Sequence, residues 1–333
     1  MNKILILGGA GYVGSVVTSH FLNKGDDVTI IDNFIYENQE AIISFVGNPK
    51  FHIVKGDFSD NSILNNIIDD IDYVLILAGL VGDPITKIYP KTSKRINDVN
   101  LKKSIDYFDD KKIKKLVFIS TCSNYGLIPG NELAHEEFNL NPLSLYAKSK
   151  VSCENYLLSK KGYVDYSGIV LRFATAFGLS PRMRFDLTIS EFTRQLFFKK
   201  KLIVFDENTW RPYCHVRDFS RLIDIVFSAK KSIVDFEVFN SGGEQNNYTK
   251  KMIIDCISTK IDDIDVEYNQ NDSDPRNYRV DFSKVNRLLG FKPKISVEQG
   301  VDELIHAFKL GLFNESILNS KKYGNYKLSY SID

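Results

Sequence analysis

The chain has 333 residues, of which 43% are hydrophobic and 26% charged, a composition typical of a globular protein with ample material for a core. Its 43 basic and 42 acidic residues leave a formal net charge of +1, which disfavours a nucleic-acid coat or a polybasic membrane anchor. The four cysteines, Cys122, Cys153, Cys214 and Cys256, contain no CxxC or CxxH pair. We therefore expect no disulfide framework, no metal site and a cytoplasmic protein with reduced thiols.

Short apolar runs alternate with helical patterns through the first half of the chain. The first run ends at Gly8 after four apolar residues, too short for a signal peptide or a membrane span. Continuous apolar runs predict strands that are covered on both faces, here Lys3–Leu7, Asp27–Ile31, Phe51–Val54, Tyr73–Leu77, Lys115–Ile119 and Ser167–Arg172. The helices predicted between them are Tyr12–Lys24, Asn61–Asp69, Lys91–Phe108 and Ser144–Lys160. This alternation predicts an α/β fold with a doubly wound parallel Rossmann sheet.

The second half of the chain is more mixed. Its pattern predicts one strand, Leu202–Phe205, and four helices, Phe185–Lys200, Arg217–Ala229, Lys250–Ser258 and Val297–Leu310. Residues 314–333 are rich in Ser, Lys, Asn and Tyr and have no apolar period. We expect this tail to be either a loose extension or a strap on a partner subunit.

A glycine-rich turn directly follows the first predicted strand. In Gly8-Gly9-Ala10-Gly11-Tyr12-Val13-Gly14, Gly8 suits a positive φ, Gly11 lets the backbone approach a pyrophosphate, and Gly14 allows close helix–strand packing. The helix that begins here offers unpaired N–H groups and the positive end of its dipole to phosphates. Such a turn alone is weak evidence, but the strand before it and the helix after it match a dinucleotide site.

Polar residues that follow the next strands extend this site. Asp32, with Asn33 after it, ends the second strand and can accept hydrogen bonds from an adenosine ribose. Its charge would repel a 2′-phosphate, and no arginine is adjacent in the sequence, so NAD is predicted rather than NADP. Asp57, followed by Phe58, can accept from the adenine amino group. Leu77-Ala78-Gly79 offers little side-chain bulk where the backbone would pass a cofactor.

A YxxxK motif supplies the predicted chemistry. Tyr146 and Lys150 lie one turn apart on one helix face, where the ammonium would lower the pKa of the phenol toward neutrality. Such a phenol can take a proton from a sugar hydroxyl while hydride leaves the carbon. Thr121, at the end of the fifth strand, is the candidate for orienting the substrate oxygen. The alternative is that Ser120 or Thr121 only satisfies a turn.

Together these motifs resemble the extended short-chain dehydrogenase/reductase family, which contains nucleotide-sugar epimerases, dehydratases, dehydrogenases and reductases. The resemblance covers roughly residues 1–312. It includes the glycine turn, Asp32, Thr121 before Asn124-Tyr125-Gly126, the Tyr146/Lys150 pair, Asn97 in Ile-Asn-Asp, Leu171-Arg172-Phe173, Trp210–Asp218 and Leu289–Pro293.

The resemblance implies NAD as cofactor, a nucleoside-diphosphate sugar linked to GDP or UDP as substrate, and no nucleic-acid or membrane partner. Arginines matching Arg211 and Arg276 grip the substrate pyrophosphate in this family, a contact suited to bidentate guanidinium groups. The family also implies a homodimer whose Lys91–Phe108 and Ser144–Lys160 helices form a four-helix bundle.

The full set of predicted cofactor-binding residues is Gly8, Gly11, Tyr12, Val13, Gly14, Asp32, Asn33, Asp57, Phe58, Leu77, Ala78, Gly79, Asn97, Ser120, Tyr146, Lys150 and Phe173. The predicted substrate-binding residues are Val81, Thr121, Cys122, Ser123, Tyr146, Thr175, Arg182, Arg184, Arg211 and Arg276. We expect residues 1–174 with about 210–240 to form the NAD-binding domain, 175–209 with 241–313 a smaller α/β domain for the nucleotide-sugar, and 314–333 the tail.

Details of the sequence narrow the expected reaction. The 4,6-dehydratases carry Thr-Asp-Glu where this chain has Thr121-Cys122-Ser123, so loss of the C6 hydroxyl is disfavoured. The glycine turn resembles UDP-galactose 4-epimerases, whereas residues 80–84 and 179–187 resemble the GDP-heptose 4-dehydrogenases of bacterial capsule pathways. Thr175 replaces an Asn common in epimerases. We expect oxidation at C4 in surface-polysaccharide synthesis, by an epimerase or a dehydrogenase.

Three alternatives carry less weight. They are a 4,6-dehydratase, a keto-sugar reductase and a catalytically silent NAD-binding regulator, although such regulators usually lose the Tyr or the Lys. His135 and His215 are interpreted as ordinary hydrogen-bonding residues rather than metal ligands.

Overall fold

The computed structural model describes residues 1–128, 130, 132–270, 276–314 and 322–329. Its strands are β1 (Lys3–Leu7), β2 (Asp27–Asp32), β3 (Phe51–Lys55), β4 (Tyr73–Ile76), β5 (Lys115–Thr121), β6 (Leu133–Ala134), β7 (Ser167–Phe173), β8 (Thr175–Phe177), β9 (Leu202–Phe205), β10 (Trp210–His215), β11 (Val238–Ser241), β12 (Asn247–Thr249), β13 (Val266–Asn269) and β14 (Arg279–Val280). Its α-helices are α1 (Tyr12–Asn23), α2 (Asn61–Asn65), α3 (Asp83–Ile88), α4 (Pro90–Lys94), α5 (Leu101–Tyr107), α6 (Leu145–Leu158), α7 (Thr188–Phe197), α8 (Val216–Ser228), α9 (Lys231–Val234), α10 (Lys250–Ser258), α11 (Ser283–Leu289) and α12 (Val297–Lys309).

A parallel sheet forms the centre of the molecule, with its seven strands in the order β11-β7-β5-β4-β1-β2-β3. β5 and β7 are buried at every position, as expected for strands covered by helices on both faces. The predicted doubly wound Rossmann fold is thus confirmed. The strand order reverses beside β1, where Leu7 pairs with Ile31 on one side and with Ile76 on the other. In such a sheet, ligands bind in the crevice outside the carboxyl ends of these strands.

Most predicted elements are present, with bounds that differ by a few residues. The first six predicted strands correspond to β1, β2, β3, β4, β5 and β7. The predicted Lys91–Phe108 helix is continuous but contains a π-helical segment, Arg95–Asn100, between α4 and α5. The predicted helix from Asn61 ends early, at Asn65. Strand β11, at the edge of the sheet, was not predicted.

Three groups of buried apolar side chains hold these elements together. Two of them cover the opposite faces of the large sheet. The third lies around α7, α10 and α12, with the small sheet β12-β10-β8 beside it. β10 belongs to this small sheet, although the predicted NAD-binding domain included its residues; the domain boundaries remain a prediction. In the part of the chain that the structure describes, no helix is both long enough and apolar enough to cross a membrane.

Candidate active site

The turn between β1 and α1 has the geometry of a dinucleotide site. Gly8 has φ +88°, and a Cβ there would lie 2.7 Å from the backbone nitrogen of Ala78. A Cβ on Gly14 would lie 2.3 Å from the carbonyl oxygen of Gly8, whereas one on Gly11 would meet only that oxygen, at 3.5 Å. Gly8 and Gly14 are therefore packed tightly against the rest of the protein, whereas space remains for a ligand beside Gly11. No side chain caps α1, so its first N–H groups can bind a pyrophosphate.

Asp32 joins this turn to the end of β2. Its Oδ2 accepts from the backbone N–H of Ala10 at 3.0 Å, and its Oδ1 from that of Phe34 at 2.9 Å. Burial raises the pKa of Asp32, and these two N–H groups oppose the rise. A carboxylate has further lone pairs, so Asp32 can still accept from a ribose hydroxyl. The neighbouring Asn33 uses its Oδ1 to accept from the Ile35 N–H.

Two predicted cofactor residues organise the loops around the cleft. Asp57 accepts from Ser59 through Oδ1 and from Asn100 through Oδ2, and Phe58 beside it is buried. Asn97 lies in the π-helical segment and clamps the backbone of Leu80, accepting from its N–H at 2.7 Å and donating to its carbonyl at 2.9 Å. Asn97 thus fixes the chain just after Gly79, and its contact with the cofactor remains a prediction.

The Tyr146/Lys150 pair lies on α6 against the end of β5. Lys150 is 2% exposed; its Nζ donates to the carbonyl of Ile119 at 2.7 Å and lies 5.9 Å from the centre of the Tyr146 ring. Burial lowers the pKa of Lys150 to about 8. The half-buried Tyr146 has its pKa raised by burial, and the cation that opposes this is Arg184 rather than Lys150. The predicted lowering of the Tyr146 pKa is therefore wrong for the protein without a bound cofactor.

Thr121 ends β5 and caps the short turn after it. Its Oγ1 accepts from the Ser123 N–H at 3.1 Å, which is the turn role given above as the alternative. Since the oxygen accepts here, the hydroxyl can still donate to a substrate oxygen. The two roles of Thr121 are compatible.

Three other predicted residues direct their side chains into the core. Ser120 donates to the buried carboxylate of Glu154, and Cys122 donates to the carbonyl of Arg172 at 3.1 Å. Phe173 stacks on Phe219 with 3.7 Å between ring centres. The side chains of Ser120, Cys122 and Phe173 thus point into the core, so contacts of these residues with a ligand would be made by their backbone, and their assignment remains a prediction. Side chains alternate along a strand, and a single residue number does not reveal which face it takes.

A buried ion pair that sequence reasoning missed supports this end of β5. Glu154 and Arg172 form a bond of 2.8 Å and are both almost inaccessible. The same carboxylate accepts from Asn124 at 2.7 Å. Glu154 follows Lys150 by four residues, so it lies on the same face of α6. This spacing is the one feature of the sequence that could have indicated that Glu154 lies near the site.

The two predicted pyrophosphate arginines lie next to each other. Arg276 pairs with Asp83 at 2.6 Å, and Arg211 donates to the Arg276 carbonyl and lies over the ring of Tyr278 at 5.1 Å. The Tyr278 hydroxyl is 3.2 Å from Ser123 Oγ. Sequence reasoning did not assign Asp83 or Tyr278 to the site. Thr175 begins β8 and is only half buried.

The structure separates the other two predicted substrate arginines. Arg184 is held by Asp186 through two bonds of 3.0 and 2.6 Å, and its charge acts on Tyr146. Arg182 instead lies over the ring of Tyr36, with 5.1 Å between guanidinium and ring centre. No arginine is next to Asp32 in the sequence, but the fold brings Arg182 close enough in space for its charge to oppose the rise of the Asp32 pKa.

Comparison with known proteins agrees with this geometry. Residues 4–242 match the model of the NAD dependent epimerase/dehydratase family. The chain belongs to this family. Its cofactor is accordingly NAD, and the prediction of a nucleotide-sugar enzyme on an extended short-chain dehydrogenase/reductase fold is confirmed.

Several members of the family are similar along nearly the whole chain. A UDP-glucose 4-epimerase of Lactobacillus helveticus is 27% identical over 331 residues, covering 91% of this chain and 94% of the relative. UDP-glucuronic acid decarboxylase 1 of Arabidopsis thaliana is 25% identical over 330 residues, 94% of this chain and 71% of the relative. The crystal structure of a UDP-glucuronic acid 4-epimerase from Bacillus cereus, with UDP-glucuronic acid and NAD, has a TM-score of 0.81 at 26% identity and covers 93% of this chain and 100% of that one.

Proposed function

We propose that this protein oxidises the C4 hydroxyl of a nucleoside-diphosphate sugar, as a 4-epimerase or a 4-dehydrogenase. The observation that carries the proposal is the placement of Tyr146 above the buried Lys150 at the carboxyl end of β5. The names of the relatives support oxidation at C4. Two of them are named 4-epimerases, and a ketone at C4 is β to the carboxylate that a UDP-glucuronic acid decarboxylase removes.

Tyr146 is the proposed base that takes the proton of the sugar hydroxyl. Bound NAD would supply the hydride acceptor. Lys150 has three N–H donors, one of which is used by Ile119, so the others can hold the cofactor ribose and bring positive charge to the phenol. Thr121 donates to the substrate oxygen. Arg211 and Arg276 bind the substrate pyrophosphate on the side of β5 where Ser123 and Tyr278 meet.

The residues after Thr121 favour these reactions over dehydration. Expelling the C6 hydroxyl needs an acid and a base close to the sugar. Positions 122 and 123 supply a cysteine turned into the core and a serine bonded to Tyr278, and neither is a carboxylate. We therefore expect the sugar to keep its C6 oxygen.

The mass of the product tests the proposal. Purified protein is incubated with UDP-, GDP-, CDP- and dTDP-sugars, and reduced cofactor is followed by absorbance. Unchanged mass with new stereochemistry at C4 identifies an epimerase, and loss of two hydrogens identifies a dehydrogenase. Loss of water, loss of carbon dioxide, or binding without any hydride transfer would contradict the proposal.

We further propose a cytoplasmic homodimer that acts in surface-polysaccharide synthesis, with the domain division given above. Support for the dimer comes from apolar side chains exposed beside α3 to α6, including Ile88 (59% exposed), Val99 (54%) and Leu145 (47%), because such patches favour association. Val99→Glu should give a monomer in light scattering, whereas Ile203→Glu, at an exposed position on β9, should not. If both variants remain dimers, the contact lies elsewhere on the surface. If the wild type is itself a monomer, the proposed dimer is wrong.

A further inference from the structure

Arg182 is a buried cation that forms no ion pair within the described part of the chain. Only 6% of the residue is exposed, and its guanidinium makes one hydrogen bond, from Nη2 to the carbonyl of Gly324 at 3.0 Å. In the described part of the chain no carboxylate forms an ion pair with it, whereas the neighbouring Arg184 has Asp186. Burial and the charge of Arg184 lower the pKa of Arg182 to about 10. Asp186 and Asp32 attract this charge only from a distance, and burying a cation without a paired carboxylate is costly, so the arrangement favours binding of an anion.

The position of Arg182 indicates which anion. The backbone N–H of Arg182 donates to Ser180 Oγ at 3.2 Å, and that hydroxyl donates to the carbonyl of Tyr12 at 2.7 Å, in the first turn of α1. From there the side chain extends to Tyr36, just beyond β2, and into the field of Asp32. It thus lies between the amino end of α1 and the carboxyl end of β2, where the phosphates of a dinucleotide bind in this fold.

Residues 322–329, here called the strap, enclose this position. Ser329 donates its N–H to the carbonyl of Ile35 at 2.9 Å, after β2, and Asn325 donates Nδ2 to the carbonyl of Val81 at 2.9 Å, after β4. β1 lies between β2 and β4 in the sheet. The strap therefore crosses in front of the glycine turn, and its Gly324 carbonyl holds the guanidinium of Arg182.

We propose that Arg182 binds the pyrophosphate of NAD, with the strap holding the guanidinium against it. Arg182 thus belongs to the cofactor and not to the nucleotide-sugar, which reverses its sequence-based assignment. The proposal requires NAD binding alone and does not depend on which sugar is oxidised.

Calorimetric titration of Arg182→Gln with NAD and with ADP tests this contact, and adenosine binding followed by ligand-observed NMR isolates the phosphates. We expect the Kd for NAD and ADP to rise about tenfold or more, as for loss of a charge-assisted contact, and the binding of adenosine to stay unchanged. Arg287→Gln, the same change on an exposed helix position, should have no effect. Arg182→Lys should lose part of the affinity, because it keeps the charge but not the planar fork.

Two results would overturn the proposal. One is unchanged NAD affinity with weaker binding of the nucleotide-sugar, which would return Arg182 to the substrate. The other is an equal loss for adenosine, which would mean a structural or ribose role. Thermal unfolding adds an independent readout: without ligand, Arg182→Gln should melt no lower than the wild type, because it removes an unpaired buried charge. If Arg182→Gln does not fold, the Arg182→Lys titrations decide by the same criteria.

Discussion

The two walls of the cofactor cleft are built in different ways. One wall is the turn after β1, where Gly8, Gly11 and Gly14 lie within one short stretch of chain. The other joins Arg182 to Gly324, which are 142 positions apart, and Ser329 to Ile35, which are 294 apart. Local spacing determines the first wall, and tertiary packing determines the second. The match to the family model ends at residue 242, so it includes the whole of the first wall but not the strap.

The largest expected effect concerns the chemistry beside the two walls and comes from Tyr146 on α6. Tyr146→Phe should lower the rate of hydride transfer by about 100-fold or more, a usual contribution of a proton-transferring side chain. Binding of NAD should not change, since the ring remains. Stopped-flow absorbance of the reduced cofactor and calorimetry measure the two quantities. Tyr163→Phe, at a residue 85% exposed, is the control; turnover near the wild-type rate in Tyr146→Phe would remove Tyr146 as the base.

Asp32 is where the two walls meet, and its charge should decide between cofactors. Asp32→Asn removes the repulsion of a 2′-phosphate while Arg182 stays nearby, so NADP should bind about tenfold more tightly, in the range of one charge-assisted contact. Titration with NAD and NADP measures the preference. Asp57→Asn, on the adenine side of the cleft, should weaken both cofactors alike. Equal preference in the wild type would already refute this role for Asp32.

The same division explains how much the sequence could predict. β1 to β5, β7, the glycine turn and the Tyr146/Lys150 pair all follow from apolar runs or from residues a few positions apart. β11 was missed because it is short and carries Asn240, a polar residue buried through bonds to Tyr125 and Ala134. No local pattern could show these distant partners.

The strap could not be predicted for a related reason. Its sequence has no apolar period, yet Leu328 is only 5% exposed and Asn325 only 7%. The sequence left open a loose tail or a strap on a partner subunit, and residues 322–329 instead pack on their own chain. The remainder of the predicted tail segment 314–333, apart from Asn314, lies outside the described residues.

A smaller effect should come from loosening the second wall. Asn325→Ala removes the bond to Val81, so NAD should dissociate a few-fold faster, on the order of the effect of one hydrogen bond. Release of NAD into excess ADP-ribose, followed by stopped flow, gives the rate. Lys327→Gln, at an exposed residue of the strap, should leave it unchanged. Slower or equal release in Asn325→Ala would mean that the strap does not retain the cofactor.

The last prediction concerns the pH dependence of stability. Burial lowers the pKa of Lys150 from 10.5 to about 8, so between these values the unfolded chain binds more protons at this residue than the folded protein. Stability contributed through Lys150 therefore rises with pH across that window. Below pH 8 the lysine is protonated in both states, and its burial carries the full cost of desolvation.

Lys150→Met removes this titrating group, so a comparison of the variant with the wild type should reveal its contribution to stability. The melting temperature of Lys150→Met minus that of the wild type should fall as pH rises from about 8 to about 10, because every other titrating group is common to both proteins. Lys148→Met, at an exposed position on α6, should give a constant difference. Two parallel melting curves for Lys150→Met and wild type would show that Lys150 is hydrated in the folded protein. A hydrated ammonium would interact only weakly with the Tyr146 phenol and the cofactor ribose, so that result would weaken the proposed mechanism as well as the pKa.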